Sequence, residues 1–400
     1  MPNRIIQNLF RCYSDRLEEE KHPLKHLKAM DALKHCRTPE MGVSYFSCPG
    51  RHRIHEQYHS CRHRSCFLCA QRKRTEWVEK QKDRLLDVPH FHVVFTLPHE
   101  YLTLWRYNDA LMTRLIFQAS QETLQTLLAD CRYQGFTPGI LMALHTWGRQ
   151  LTLHPHTHCL VTAGGLTPRG EWRDSGDYLL PIRVVKSLYR GKFQALIREA
   201  RRAGELRLPD SMSELAFRHM HASLYRKPWS VRIEKRYNHG KGVMLYLSRY
   251  LKGGPVHPRQ IHCKADGSLS LRYLDHRDQR IKQLRLRPEA FLKRVLTHVP
   301  PTGCHTVRYY GLYAASAKAR YQRCKARWGT VGKAGGSSGP ARSDLLFYCK
   351  VCGEPASQIC SVWPRRQKGN SIIRESGELR VQQDDEAGVT RAINARLPHT

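Results

Sequence analysis

The sequence predicts an α+β chain with a cysteine-rich metal-binding module near its start, on three observations. The β-rich apolar runs at 90–97 (HFHVVFTL) and 156–163 (HTHCLVTA) read as buried strands. Residues 101–130, 185–203 and 211–226 carry apolar positions at helical spacing. Residues 48–69 concentrate Cys and His at metal-ligand spacings.

Residues 3–36 repeat apolar positions at helical intervals (Leu24, Leu27, Met30, Leu33), giving one or two helices that serve packing or DNA contact. The pattern breaks at 36–84, where Cys, His, Gly, Ser and Arg dominate. The first strand is closed by Pro98, and the helix after it carries Leu111, Leu115, Leu124, Leu127 and Leu128 on its apolar positions. The second strand is expected to end at Gly164–Gly165. A short strand at 230–237, a helix at 243–251, a strand at LSLRYLDH and a helix at 288–298 follow, the last bounded by Pro288 and by Pro300–Pro301. The stretch 329–343, GTVGKAGGSSGPARS, has the composition of a flexible linker. The expected organisation is therefore an N-terminal domain that holds the cysteine-rich cluster (1–85) and a larger domain of strands and helices (86–328). The linker (329–343) and a Cys-containing segment with a loose tail (344–400) complete it.

With 67 Lys and Arg against 34 Asp and Glu, the 400 residues carry a formal charge of +33. A chain this basic is suited to a polyanion, either nucleic acid or an anionic membrane face. A mean hydropathy of −0.57 and the lack of any apolar run near 18 residues exclude an integral membrane protein. Seven Trp, 11 Phe and 18 Tyr are too many for a disordered chain. The start, MPNRIIQNLFRCYSD, has no signal-peptide pattern, so a cytoplasmic, nucleoid-associated location is expected. There, 14 Cys and 23 His point to metal sites rather than disulfides.

Five residues form the densest cluster: Cys48, His52, Cys61, Cys66 and Cys69. Cys66-x2-Cys69 places two thiolates on one tight turn, and Cys48-x3-His52 offers two further ligands, with Cys61 a fifth candidate and Cys36 a sixth. No carboxylate lies within the cluster to act as a base, so its zinc is expected to be structural. The arginines around it, Arg62, Arg64 and Arg72 among them, make it a phosphate-facing surface. Cys349-x2-Cys352, followed by Cys360, is a candidate second site without an evident fourth ligand.

Four His-x-His pairs occur, at 90/92, 154/156, 156/158 and 219/221, where chance supplies about one, so spacing alone decides little. In a strand, i and i+2 side chains share a face about 6.6 Å apart, close enough to grip one cation. His156 and His158 open a buried strand. His92, on an equally good strand, is a candidate third ligand if the two strands are neighbours. The competing explanation is core histidines with satisfied hydrogen bonds. Tyr246 and Tyr250 in VMLYLSRYLKGG are one helical turn apart, flanked by Arg249 and Lys252 and followed by Gly253–Gly254. A tyrosine attacking a phosphodiester needs a charge-stabilising cation, which a histidine pair can hold. Tyr309 and Tyr313 repeat the same spacing.

Taken in order, SCRHRSCFLC, HFHVVFTLP, LHPHTHCLVTAGGL, YLSRYLKGGPV and VPPTGCHTVRYYGLYA resemble the rolling-circle transposases of the insertion sequence ninety-one family, two-tyrosine members of the HUH endonuclease superfamily. The resemblance spans roughly residues 20–330. It implies that His156 and His158 ligate Mg²⁺ or Mn²⁺, that Tyr246 and Tyr250 are the nucleophiles and that Tyr309 and Tyr313 are not. It also implies an antiparallel sheet carrying the HUH strand, with flanking helices. The implied reaction is transposition by single-strand DNA cleavage and rejoining at element ends and target, without a nucleotide cofactor. Two departures stand out: Thr157 replaces the usual apolar residue between the histidines, and His52 stands where a cysteine is usual. A plasmid replication initiator or relaxase with the same chemistry, and an inactive zinc-dependent DNA-binding remnant, are the alternatives.

Residues 269–328 carry 14 Lys and Arg against three acidic residues, interleaved with Tyr273, Tyr309, Tyr310, Tyr313, Tyr321 and Trp328. Such a mixture suits single strands, charges tracking the backbone and rings stacking on bases.

Overall fold

The computed structural model describes residues 4–18, 21–52, 54–234, 236–237, 255–275, 278–332, 347–364, 379–384 and 390–394. The chain divides into two compact units, one of residues 1–70 with 337–400, the other of residues 71–336.

In the first unit, helices α1 (Ile5–Glu18) and α2 (Leu24–His35) bury Phe10, Leu17, Met30 and Leu33. Leu24 and Leu27, at the start of the same stripe, stay exposed. Strands β1 (Val43–Ser47) and β2 (Ile54–Tyr58) form an antiparallel hairpin. Helix α3 (Phe67–Lys82) leads into the second unit.

Among the described residues, the C-terminal strands join the N-terminal sheet. Strand β13 (Pro355–Pro364) pairs antiparallel with β1, and β12 (Phe347–Tyr348), β14 (Leu379–Asp384) and β15 (Thr390–Asn394) complete a sheet of order β15-β14-β13-β1-β2 with β12 beside β13. The structure therefore draws the unit boundary at 70/71 rather than at 85, and counts 337–400 with the N-terminal residues. Pairing between strands some 300 residues apart leaves no local signature in the sequence.

The second unit is built on an antiparallel sheet of order β11-β4-β5-β3-β7, with β6 beside the end of β5. Its strands are β3 (His90–Thr96), β4 (Thr137–Trp147), β5 (Leu153–Leu166), β6 (Trp172–Asp174), β7 (Val231–Ile233) and β11 (Val307–Gly311). Strand β5 runs on to Leu166 through the two glycines expected to end it. A Cβ at Gly165 would overlap the Thr137 carbonyl, so glycine serves the close approach of β4. The run TPGILMALHTW, which the sequence reading left without a strand, is β4.

The two faces of this sheet differ. Phe91, Val93, Phe95, Ile140, Met142, Leu144, Cys159 and Val161 pack beneath α4 (Leu102–Tyr107), α5 (Asp109–Ala129), α6 (Ile182–Arg202) and α7 (Glu214–Arg226). On the opposite face, one end is a smaller core of Leu85, Leu86, Leu141, Leu160, Tyr313, Cys324 and Val331. The other end carries histidines. A three-stranded sheet of β8 (Ile261–Cys263), β9 (Leu269–Asp275) and β10 (Arg280–Leu286), with helices α8 (Pro288–Thr297) and α9 (Lys318–Trp328), completes the unit. Among the described residues, no helix is long and apolar enough to cross a membrane.

Candidate functional site

Strand register brings the histidines together. Across β4 and β5, His145 lies opposite His156 and Ala143 opposite His158. Across β3 and β5, Thr96 lies opposite His156 and Val94 opposite His158. Directly opposed residues share a face, so His145, His156 and His158 project together. One ligand nitrogen from each lies within 4.8 Å of the others. Their ring centroids are 4.5 Å (145–158), 4.8 Å (156–158) and 5.4 Å (145–156) apart. Trp147 stacks on the His145 ring at 4.5 Å, beside a register shift between His145 and Trp147.

His92 lies behind this trio rather than in it. It is opposite Leu160, one pleat further along, and its Nε2 is 2.9 Å from His158 Nδ1, with the rings stacked. With His158 donating in that bond, its Nε2 lone pair is left for a cation, the usual way in which an outer partner orients a ligand. His156 Nδ1 donates to the His154 carbonyl at 2.7 Å, which again leaves Nε2 as the acceptor nitrogen. Burial pushes His156 down to about 4 and His158 well below the usual histidine value, and the nearby Arg232 charge adds to the effect. Both are neutral at pH 7, the form that binds metal. Three imidazoles on one strand pair are a donor set that fits a divalent transition metal.

Thr157 faces the opposite way. Its Oγ1 is buried 3.1 Å from Ser120 Oγ of α5, so the hydroxyl in the histidine motif is satisfied away from the trio. Tyr313 is buried in the smaller core. Its hydroxyl accepts from the Leu86 N–H and lies 3.0 Å from His90 Nε2, and burial pushes its pKa up. Tyr309 donates to Gln81 Oε1 and lies under the Arg84 guanidinium, and Tyr321 donates to the Arg84 carbonyl. These three rings, expected among the base-stacking aromatics, are engaged in packing. Tyr246, Tyr250, Arg249 and Lys252 lie outside the described residues, as does the Arg72 side chain.

The five expected zinc ligands divide between two clusters. Cys61, Cys66 and Cys69 join Cys36, while Cys48 and His52 join Cys349 and Cys352. In the first, Cys36 and Cys61 sulfurs are 3.6 and 3.8 Å from that of Cys69. A zinc tetrahedron with Zn–S bonds of about 2.3 Å has S···S edges of about 3.8 Å. Sulfur hydrogen bonds from Cys61 and Cys66 hold the Cys36 thiol below the usual cysteine range. Cys360 lies outside both clusters, opposite Tyr45 in the β1–β13 ladder. Arg62 and Arg64 are exposed on the loop between Cys61 and Cys66.

Two site residues escaped the sequence reading. His145 is a single histidine in a long apolar run, and only the β4–β5 register reveals its partners. Arg232 lies opposite Val94, itself opposite His158, which puts it on the histidine face. Alternation in SVRIEKRY was its one available signal.

Residues 139–320 match a family model described as "Putative transposase", and residues 5–97 match a "Transposase zinc-binding domain" of the IS91 type. The transposase for insertion sequence element IS801 of Pseudomonas savastanoi pv. phaseolicola is 30% identical over 331 residues, covering 80% of this chain and 78% of the relative. The "Putative transposase y4qJ" of Sinorhizobium fredii is 33% identical over 317 residues, covering 76% and 79%. This chain belongs to the insertion sequence ninety-one family of transposases. No solved structure matches it. The IS91-type transposase is thus a DNA-cleaving enzyme by family, and its N-terminal cysteines form a structural zinc module.

Proposed function

We propose that this transposase cleaves and rejoins single-stranded DNA through 5′-phosphotyrosine intermediates, with Tyr246 and Tyr250 as nucleophiles and a divalent cation held by His145, His156 and His158. The observation that carries the reading is the convergence of three imidazoles on one face of the central strand pair. A cation there would polarise the scissile phosphate and stabilise the charge that develops as the phosphoryl group transfers. The phenol oxygen attacks phosphorus and loses its proton. The P–O3′ bond breaks, and the departing oxygen takes up a proton as a 3′-hydroxyl. The phosphotyrosine ester conserves the energy of the broken linkage, so rejoining needs no nucleotide triphosphate.

Chain connectivity supports the reach of the tyrosines. Tyr237 is bridged to His90 on β3 by two backbone hydrogen bonds of 3.1 and 2.9 Å. Tyr246 lies nine positions beyond Tyr237, enough to span up to about 31 Å. Because the trio offers nitrogens and no carboxylate, Mn²⁺ should support the reaction better than Mg²⁺, which prefers oxygen. The relatives' names favour transposition over plasmid replication.

The test is to incubate the protein with single-stranded element-end oligonucleotide and Mn²⁺. The expected product is a covalent adduct that survives heating in detergent and is removed by protease. The Tyr246→Phe, Tyr250→Phe double variant should form none; an adduct in that variant defeats the assignment.

Arg232 is positioned to meet the same phosphate. Its side chain is 68% exposed and ion-paired only loosely, at 3.6 Å, to Glu234. Arg232→Ala should slow adduct formation about tenfold and reduce the salt dependence of oligonucleotide binding by about one phosphate contact. An unchanged salt slope would remove Arg232 from the DNA path.

A further inference from the structure

We propose that Cys48, His52, Cys349 and Cys352 bind a second zinc ion, distinct from the one suited to the four-cysteine cluster, and that this ion fastens the C-terminal strands to the N-terminal module. The zinc-binding family model ends at residue 97, so half of this ligand set comes from outside it.

The sheet explains how the two halves meet. Strand β1 ends at Ser47, immediately before Cys48, and β13 begins at Pro355, shortly after Cys352. The antiparallel ladder pairs Ser47 with Ser357, so both knuckles emerge at the same end of the strand pair. One donor atom from each of the four residues lies within 4.8 Å of the others.

Each knuckle is shaped to present thiolate sulfur. On the first, the His52 N–H lies 3.4 Å from Cys48 Sγ, and the Arg51 N–H donates to the Cys48 carbonyl at 2.9 Å. On the second, the Val351 N–H lies 3.4 Å from Cys349 Sγ, and the Gly353 N–H closes the turn on the Cys349 carbonyl at 2.8 Å. Gly353 has a φ of 74°, a conformation that glycine adopts without strain. His52 Nδ1 is 3.6 Å from Cys48 Sγ and 3.9 Å from Cys349 Sγ. Zinc with bonds of about 2.3 Å to sulfur and 2.05 Å to nitrogen gives S···N edges of about 3.6 Å. Three thiolates and one imidazole close a tetrahedron and leave no open position, so the site is structural. Cys48 and Cys349 are buried, but His52 and Cys352 are exposed. The second ion should therefore be lost to chelators before the first.

The experiment is a zinc count on the full-length protein by elemental analysis and native mass spectrometry. The wild type should hold two cysteine-ligated zinc ions per chain, counted apart from any ion at the histidine trio, and the Cys349→Ser, Cys352→Ser double variant one. Cobalt-substituted wild type should show the summed absorption of an S4 and an S3N site, and the double variant the S4 spectrum alone. His52→Ala, which keeps every thiol, should weaken one of the two ions at least tenfold and leave the other unchanged, should the double variant prove insoluble. Amides of 355–363 should lose hydrogen-exchange protection in whichever variant loses the ion. A wild-type count of one, two ions retained without Cys349 and Cys352, or a native Cys349–Cys352 disulfide would each overturn the proposal.

Discussion

Replacing His145 by alanine should lower the affinity for Mn²⁺ more than about 100-fold and reduce adduct formation below detection at micromolar metal. The expectation follows from position. His145 is directly opposite His156 in the β4–β5 ladder, and its ring centroid is 4.5 Å from that of His158. Removing one of three ligands leaves a two-nitrogen site that competes poorly with hydration of the free ion. His92 should behave differently, because it touches His158 and not the place where the three nitrogens converge. Loss of an outer partner of this kind typically costs about 10- to 100-fold in metal affinity. His92→Gln, which keeps a hydrogen-bonding group, should recover part of that loss, whereas His145→Gln should not match wild type. His145→Asp should restore binding and shift the preference toward Mg²⁺, since it supplies an oxygen donor. Isothermal titration with Mn²⁺ and with Mg²⁺ measures these variants and His92→Ala, and the thermal midpoint separates metal loss from unfolding. If His145→Ala binds Mn²⁺ as wild type does while His92→Ala does not, the third ligand is His92.

The comparison of His145 with His92 also shows what the sequence could disclose. Both expected strands were legible because they are short β-rich runs with histidines at alternate positions, and period two puts His156 and His158 on one face whatever the neighbours are. Which strand lies alongside is a matter of register. HFHVVFTL advertised its histidines; GILMALHTW hid one in an apolar run that is equally a strand, and the β4–β5 register put that one beside the pair. The cysteines repeat the lesson. Their number and spacing signalled zinc, but Cys48-x3-His52 was grouped with the nearest thiols in sequence. The β1–β13 ladder, spanning some 300 residues, instead joins it to Cys349 and Cys352. Charge patterning misled in a third way. Tyr309, Tyr313 and Tyr321 are interleaved with Lys and Arg as base-stacking rings would be. Yet their hydroxyls are spent on Gln81, the Leu86 amide with His90, and the Arg84 carbonyl.

Cys66→Ser should unfold the first unit while the second keeps its sheet. Cys66 is the most enclosed member of its cluster besides Cys36, and a serine hydroxyl is a poor zinc ligand that stays protonated at neutral pH. Zinc binding contributes about 10–16 kcal/mol to the folding of small zinc modules. The apolar core available without it is modest: Ile6, Leu9, Phe10, Leu17, Ala29, Met30 and Leu33 are the buried apolar residues of the two helices. The second unit draws on a far larger set, with Phe91, Phe95, Phe117, Tyr189, Phe193 and Trp229 in one continuous core, and holds none of the four ligands. Hydrogen exchange followed by mass spectrometry should therefore show protection lost across residues 5–70 and retained in β3, β4 and β5. Specific recognition of element ends should fall with it, because Arg62 and Arg64 project from the loop that Cys61 and Cys66 anchor. Oligonucleotide cleavage at high DNA concentration should survive, since the histidine trio is untouched. Retained protection in 36–70 without Cys66 would mean that hydrophobic packing, not zinc, holds that module together.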